Sequence, residues 1–144
     1  MRRLLPAIVI LILPACDGAS SEPTDTYPSV AGVYSISGHA TADDPSVFGA
    51  RVTLTQASLS SGTLGGSGTA NGTFLNDLTV TVTDESITAS ITPAGVLMLE
   101  VEDANGSWFF TGTLVGTGFQ NGTARLELPG GGTIPGAWTG RRIE

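Results

Sequence analysis

From Val30 onward the apolar residues recur at every second position, and that period of two restricts the chain to half-buried strands. Leu78, Val80 and Val82 alternate with Thr79, Thr81 and Thr83, as Ile87, Ala89 and Ile91 do with Thr88 and Ser90. Leu97, Leu99 and Val101 repeat the pattern, followed by Trp108, Phe110 and Leu114, and then by Leu126 and Leu128 around Glu127. Turn chemistry separates the runs, at Asp84-Glu85, Pro93-Ala94-Gly95, Asp103-Ala104-Asn105-Gly106 and Pro129-Gly130-Gly131-Gly132. The spacing predicts strands over 31–39, 50–58, 62–70, 77–84, 86–92, 96–102, 107–116, 118–128 and 133–142, and no stretch carries a helical period. Short strands joined by tight turns make a meander. It closes most simply into an all-β, small antiparallel up-and-down β-barrel of eight or nine strands, which removes its edges; a two-sheet β-sandwich is the alternative.

Alternation assigns Tyr34, Ile36, Val52, Leu54, Leu78, Val80, Ile87, Ile91, Leu97, Leu99, Trp108, Phe110, Leu126 and Trp138 to the interior. A small barrel either fills such an interior or keeps a cavity for one apolar ligand, and Trp108, Phe110, Trp138 and Tyr34 are the residues that could line it. Glycines at Gly62, Gly66, Gly68, Gly112, Gly116 and Gly118 thin two of the walls, so large rings must supply the missing volume. A filled interior is expected. Phe48, Phe109 and Phe119 are left as candidates for an exposed patch that a partner could cover. The Thr-x-Thr steps at Thr53/Thr55, Thr79/Thr81/Thr83 and Thr111/Thr113 fit β propensity on a solvent face better than an ordered ice-binding plane.

Composition agrees: hydrophobic residues make up 40% and charged residues 13%, with 20 Gly and 8 Pro, too apolar for disorder and too rich in turn formers for a helical bundle. All six basic residues are Arg. Without Arg2 and Arg3 the chain holds 13 acids against 4 bases, a formal balance of −9, which repels phosphates and anionic headgroups and excludes nucleic acid as a partner. The lack of Lys removes Schiff-base chemistry.

The N-terminus carries the most specific motif. Arg2 and Arg3 precede the apolar run Leu4 to Leu13, well short of the roughly 20 residues needed to span a bilayer. Leu13-Pro14-Ala15-Cys16 closes it and resembles the lipobox of a bacterial lipoprotein signal peptide. That resemblance implies cleavage after residue 15, a diacylglyceryl thioether on Cys16 and an acyl chain on its new amine, an anchor of several chains that holds stably. Cys16 is the only cysteine, so no intramolecular disulfide can form. Residues 17–29 are polar with two prolines and read as a flexible tether of roughly 20 Å root-mean-square span, leaving residues 30–144 as the domain.

Residues 61–74 and 111–124 align at an offset of fifty with eight identities in fourteen. Either a duplicated hairpin or Gly/Thr bias explains the match. Asn71-Gly72, Asn105-Gly106 and Asn121-Gly122 read as hairpin turns. Chemistry-bearing residues are sparse. His39 near Asp43 and Asp44 falls short of a ligand spacing and reads as a loop histidine. Glu100, Glu102, Asp103 and Asn105 lack the spaced oxygens of a calcium loop and read as an acidic hairpin end. No nucleophile elbow, phosphate loop or paired-carboxylate pattern is present, so no catalytic role, cofactor or metal is expected.

Gly32-Val33-Tyr34 on the first strand, with Trp138 and Arg141/Arg142 on the last, resembles the Gly-x-Trp and terminal Arg that close the barrel in lipocalins and related calycins. The resemblance implies a guanidinium from Arg141 or Arg142 stacked on Tyr34, and room for a hydrophobic ligand. The expected protein is a membrane-anchored lipoprotein of the bacterial cell envelope, with its domain on the periplasmic or extracellular side. It acts as a non-enzymatic structural or interaction module that meets an envelope protein or polysaccharide; the alternative is a carrier of a small hydrophobic ligand. Substituting Cys16→Ala should abolish labelling by a fatty-acid analogue and release the protein from membranes, and a variant that still labels would refute the lipobox reading.

Overall fold

The computed structural model describes residues 25–41, 46–74 and 77–144. Nine strands follow in order: β1 (Gly32–Ala40), β2 (Val47–Thr55), β3 (Thr63–Thr73), β4 (Thr79–Asp84), β5 (Thr88–Ile91), β6 (Val96–Asp103), β7 (Gly106–Val115), β8 (Gly118–Glu127) and β9 (Thr133–Arg142). All pairings are antiparallel. The sheet order β2-β1-β9-β8-β7-β6-β5-β3-β4, with an additional β2–β3 pairing, closes a barrel of eight strands. β4 is the ninth. It extends the β5 edge along β3, Thr73↔Thr79 to Gly68↔Asp84, before β5 takes over at Leu64↔Ala89. On its other side β4 meets side chains in place of a backbone ladder. Thr83 N–H donates to Asp103 Oδ2 at 2.8 Å, Asn105 Nδ2 donates to the Thr81 carbonyl, and Asp84 Oδ2 accepts from Glu102 N–H. An edge that would otherwise invite another strand is thereby covered.

Nearly every position assigned inward by alternation is buried, and the Thr rows at Thr53/Thr55 and Thr79/Thr81/Thr83 face solvent. Leu78 is the exception, at 44% exposure. It precedes β4 and follows Asp77, whose φ of 58° turns the backbone, so the inward parity has not yet begun at Leu78. β2 occupies Val47–Thr55 where 50–58 was expected, because Gln56 leaves the ladder: its side chain donates to the Pro28 carbonyl and accepts from Val30 N–H.

One extra residue in β8 sets the rest of the interior. The β7–β8 register slips between Thr111 and Thr113, and the β8–β9 register slips between Phe119 and Gly122. Both slips are the same bulge, centred on Gln120 and Asn121, both exposed, with Asn121 at φ 52°. The bulge reverses parity, so Phe119 points inward at 1% exposure, where period-two counting had left it as a surface candidate. Trp138 fills the gap. Its indole Nε1–H donates to the carbonyls of both Thr111 (3.1 Å) and Thr123 (2.9 Å). Its ring lies against Gly112, Gly122 and Gly140, where an added Cβ would come within 2.4–2.9 Å of it.

The fifty-residue echo is not a structural repeat. Residues 61–74 form one strand, β3 and its flanks, whereas 111–124 run through the end of β7, its turn and most of β8. Glycine and threonine bias accounts for the match. Of the three Asn-Gly pairs, Asn105-Gly106 closes the β6–β7 hairpin, Asn121-Gly122 makes the bulge, and Asn71-Gly72 sits inside β3. A Cβ at Gly72 would meet the Phe74 ring at 2.6 Å, so the glycine there provides ring space and makes no turn.

Two chain ends are distinguishable on the barrel. The entry end carries the start of β1, the 56–62 loop, the β5–β6 and β7–β8 turns and the end of β9; the far end carries the β1–β2, β3–β4, β6–β7 and β8–β9 connections. Within the segment read as tether, Tyr27 already packs against the core at the entry end, its N–H donating to the Leu59 carbonyl, and Val30 is fully buried.

Denaturant melts should separate the faces. Trp108→Ala should cost about 3–5 kcal/mol, as truncation of a buried aromatic does. Thr81→Val should stay within about 0.5 kcal/mol. Equal losses would mean that Thr81 is as buried as Trp108.

Candidate functional site

The four residues proposed as ligand lining are all buried, and they are not all in contact. Trp108 stacks on Phe110 (ring centroids 5.7 Å, interplanar angle 10°), and Phe110 meets Trp138 edge-on at 5.6 Å. Trp138 then touches Phe119 at 6.1 Å, and Phe119 touches Tyr34 at 5.2 Å, so a residue missed by counting links Tyr34 to the rest. Phe48, also expected at the surface, is buried, with its ring 4.8 Å from Trp108 and 6.2 Å from Phe110. Its inward position follows from β2 beginning at Val47, which puts it on the face of Ala50, Val52 and Leu54. β2 and β7 stand on opposite walls of the eight-strand ring. Ring contact between them means that side chains span the interior at this level.

Burial raises the Tyr34 hydroxyl pKa, an effect partly offset by Arg142, its register partner on β9. The stack implied for that pair is not formed. Arg142 Nε donates to the Glu144 carbonyl, and among the described residues the guanidinium that lies over a ring is Arg125, 4.6 Å from the centre of Phe109. Trp108 Nε1, buried in the interior, has no hydrogen-bond partner in the protein, which costs on the order of 1–3 kcal/mol for a desolvated donor.

Phe109, the remaining member of the expected patch, is on the outer wall, half-buried. Its row reads Thr88, Glu100, Phe109, Arg125 across β5 to β8, and the next reads Ser90, Met98, Thr111, Thr123. Together they line a depression of about 390 Å³ in which Met98 is 52% exposed. It has an apolar floor, a hydroxyl rim and one charge of each sign. Arg125 also pairs with Glu127 at 3.0 Å, which fixes its guanidinium over the Phe109 ring.

Beside the depression, the acidic hairpin has structural duties. Asp103 accepts from the backbone N–H of Thr83 and of Asn105, and these bonds hold its pKa below the usual carboxylate value. Glu100 is shifted upward, first by desolvation, then by the charge of Glu102 and a hydrogen bond shared with it, and by Glu127 and Asp84. Among the described residues no group of His, Cys, Asp and Glu is arranged to hold a metal ion. His39 is exposed on β1, while Cys16, Asp43 and Asp44 lie outside the described residues. No family model, curated protein or solved structure matches the chain.

A carboxyl whose folded pKa lies above its unfolded value favours the fold while protonated and opposes it once ionised. The penalty from Glu100 is therefore absent below the unfolded carboxyl pKa and develops as pH rises through the folded one. Glu100→Gln should raise the urea midpoint at pH 7 and leave it unchanged near pH 3; an increase of equal size at both values would assign the effect to something other than charge.

Proposed function

We propose that this protein is a non-enzymatic lipoprotein of the bacterial cell envelope, anchored through Cys16, whose barrel presents the Phe109–Met98 depression to an envelope protein or polysaccharide. The observation that supports this reading is the contact of Phe48 with Trp108 and Phe110 across the barrel. Rings from opposite walls occupy the space that a carrier would keep for its cargo, so the surface available for recognition is outside. The outer wall is otherwise rich in exposed threonine, and Phe109 under Arg125 interrupts it with apolar area.

A second reading has one observation in its favour. The unpartnered Trp108 Nε1 is a buried donor that could meet the acceptor end of a small hydrophobic ligand, were the Phe48 and Phe74 rings beside it to move. Titration with a fluorescent fatty acid, followed through the tryptophans, decides between them. The interaction module is expected to show no saturable quenching. One-to-one binding that is lost in Ala89→Phe, where a ring would narrow the interior, would replace it with the carrier. For the outer surface, a photo-crosslinker at Met98 in living cells should give a discrete adduct that the same group at Thr53, three strands away around the barrel, does not. Identical patterns from both positions would remove the depression from the proposal.

A further inference from the structure

Phe109 stands on the outer wall between an apolar neighbour and a group of acids. The row through it reads Glu100, Phe109, Arg125 across β6 to β8. Two residues along each strand, on the same face, the next row reads Met98, Thr111, Thr123 on one side of it and Glu102, Ser107, Glu127 on the other. The Phe109 ring and the half-exposed Met98 thus supply the apolar area of the depression of about 390 Å³, and Glu100, Glu102 and Glu127 stand around the ring.

These carboxylates outnumber what neutralises them. Strands β4 to β8 carry one cation, Arg125, against Asp84, Glu100, Glu102, Asp103 and Glu127. Arg125 is already committed on the β8 side, with its guanidinium 4.6 Å from the centre of the Phe109 ring and its Nε 3.0 Å from Glu127. On the β6 side of the same ring, Glu100 and Glu102 have no ion-pair partner among the described residues. They crowd one another instead: desolvation, then the charge of Glu102 and a hydrogen bond shared with it, then Glu127 and Asp84, raise the Glu100 pKa.

We infer that the depression recognises a polypeptide segment carrying an arginine or lysine next to an apolar side chain, with the cation at Glu100 and Glu102 and the apolar group on Met98 and Phe109. This inference rests on the reading of the depression as the recognition surface, and it names the partner's chemistry. Glu100 and Met98 are two residues apart on β6, about 7 Å, which is the spacing of alternate side chains along an extended segment. A cation there pairs two carboxylates that the barrel leaves unpaired, so charge orients the segment while apolar contact holds it. An acidic polysaccharide would be repelled by the same carboxylates, and a neutral one would leave them unpaired.

The test reads the methyl group of Met98, which with Met1 makes up the chain's methionines. Full-length protein with isotope-labelled methionine, held in a zwitterionic detergent, is titrated with two peptides of equal length, one alternating leucine with arginine and the other leucine with glutamate. The leucine-arginine peptide should shift the Met98 resonance saturably, and the leucine-glutamate peptide should leave it in place. In Glu100→Gln/Glu102→Gln the Kd of the first peptide should rise at least about fivefold, the size expected from two charges screened by water, and added salt should shrink that difference. Equal shifts from both peptides, or a Kd unchanged in the double variant and in salt, would overturn the cationic partner and leave the depression as a binding surface. A Met98 resonance that neither peptide moves also overturns the cationic partner; the crosslink from Met98 in cells then reports separately whether the surface itself stands. The comparison of the two peptides on the wild-type protein needs no folded variant.

Discussion

The fold depends on one indole. The Trp138 Nε1–H donates to the carbonyls of both Thr111 and Thr123, at the point where the extra residue in β8 interrupts the β7–β8 register. That places the largest side chain of β9 across the β7–β8 seam, which is possible only because the positions around it are Gly112, Gly122 and Gly140. The glycines, which weaken strands by lost packing and added backbone entropy, are thus compensated by a ring lying flat on them. The same exchange recurs toward the far end. An added Cβ at Gly38 or Gly136 would strike the Phe48 ring, and one at Gly72 that of Phe74.

The consequence reaches the walls. With Phe119 turned inward by the bulge and Phe48 inward from β2, seven rings form a connected series from Tyr34 to Phe74. Such pairs contribute about 0.5–1.5 kcal/mol each beyond burial of their area. Because they bridge strands far apart in sequence, they also oppose opening of the barrel along any one seam. The isolated cost is at Trp108, whose indole N–H is desolvated without a partner.

Nine strands, the barrel and most of the interior were legible in the alternation, because a period of two needs only that one face be buried. What it could not register was a change of phase. The insertion at Gln120-Asn121 looks like any polar pair, so Phe119 falls on the wrong side when counted through it. Leu78 is misplaced for a related reason, since it stands between Asp77, at a positive φ, and the start of β4, where the alternation begins. Gly112 was legible as thin wall but not as the seat of the Trp138 ring, and Gly72 read as a turn although it faces Phe74, because a seat requires knowing which side chains meet inside the barrel. Asn121 did carry a cue: an Asn-Gly pair in mid-strand tolerates a positive φ, which is what a bulge demands. The outer depression had no sequence signature, as Phe109, Met98 and Arg125 come from three strands and meet only through register.

Charge shows the same limit more sharply. A formal balance of −7 read along the chain, or −9 without Arg2 and Arg3, implies repulsion from any anionic surface. On a closed barrel the sum matters less than its distribution, because screening weakens the effect of a charge beyond about a Debye length. Of the four described arginines, Arg125 lies over Phe109, while Arg51 and Arg141 become neighbours across Ser35 once β1, β2 and β9 are laid side by side. Ser35 is the pivot: lying between Arg51 and Arg141 in register, it brings together two cations ninety residues apart, and no local motif encodes that neighbourhood. Strand register therefore sets the charge pattern of the barrel surface as much as composition does, and a substitution that shifted β9 by one residue would move Arg141 off that row and onto the opposite face.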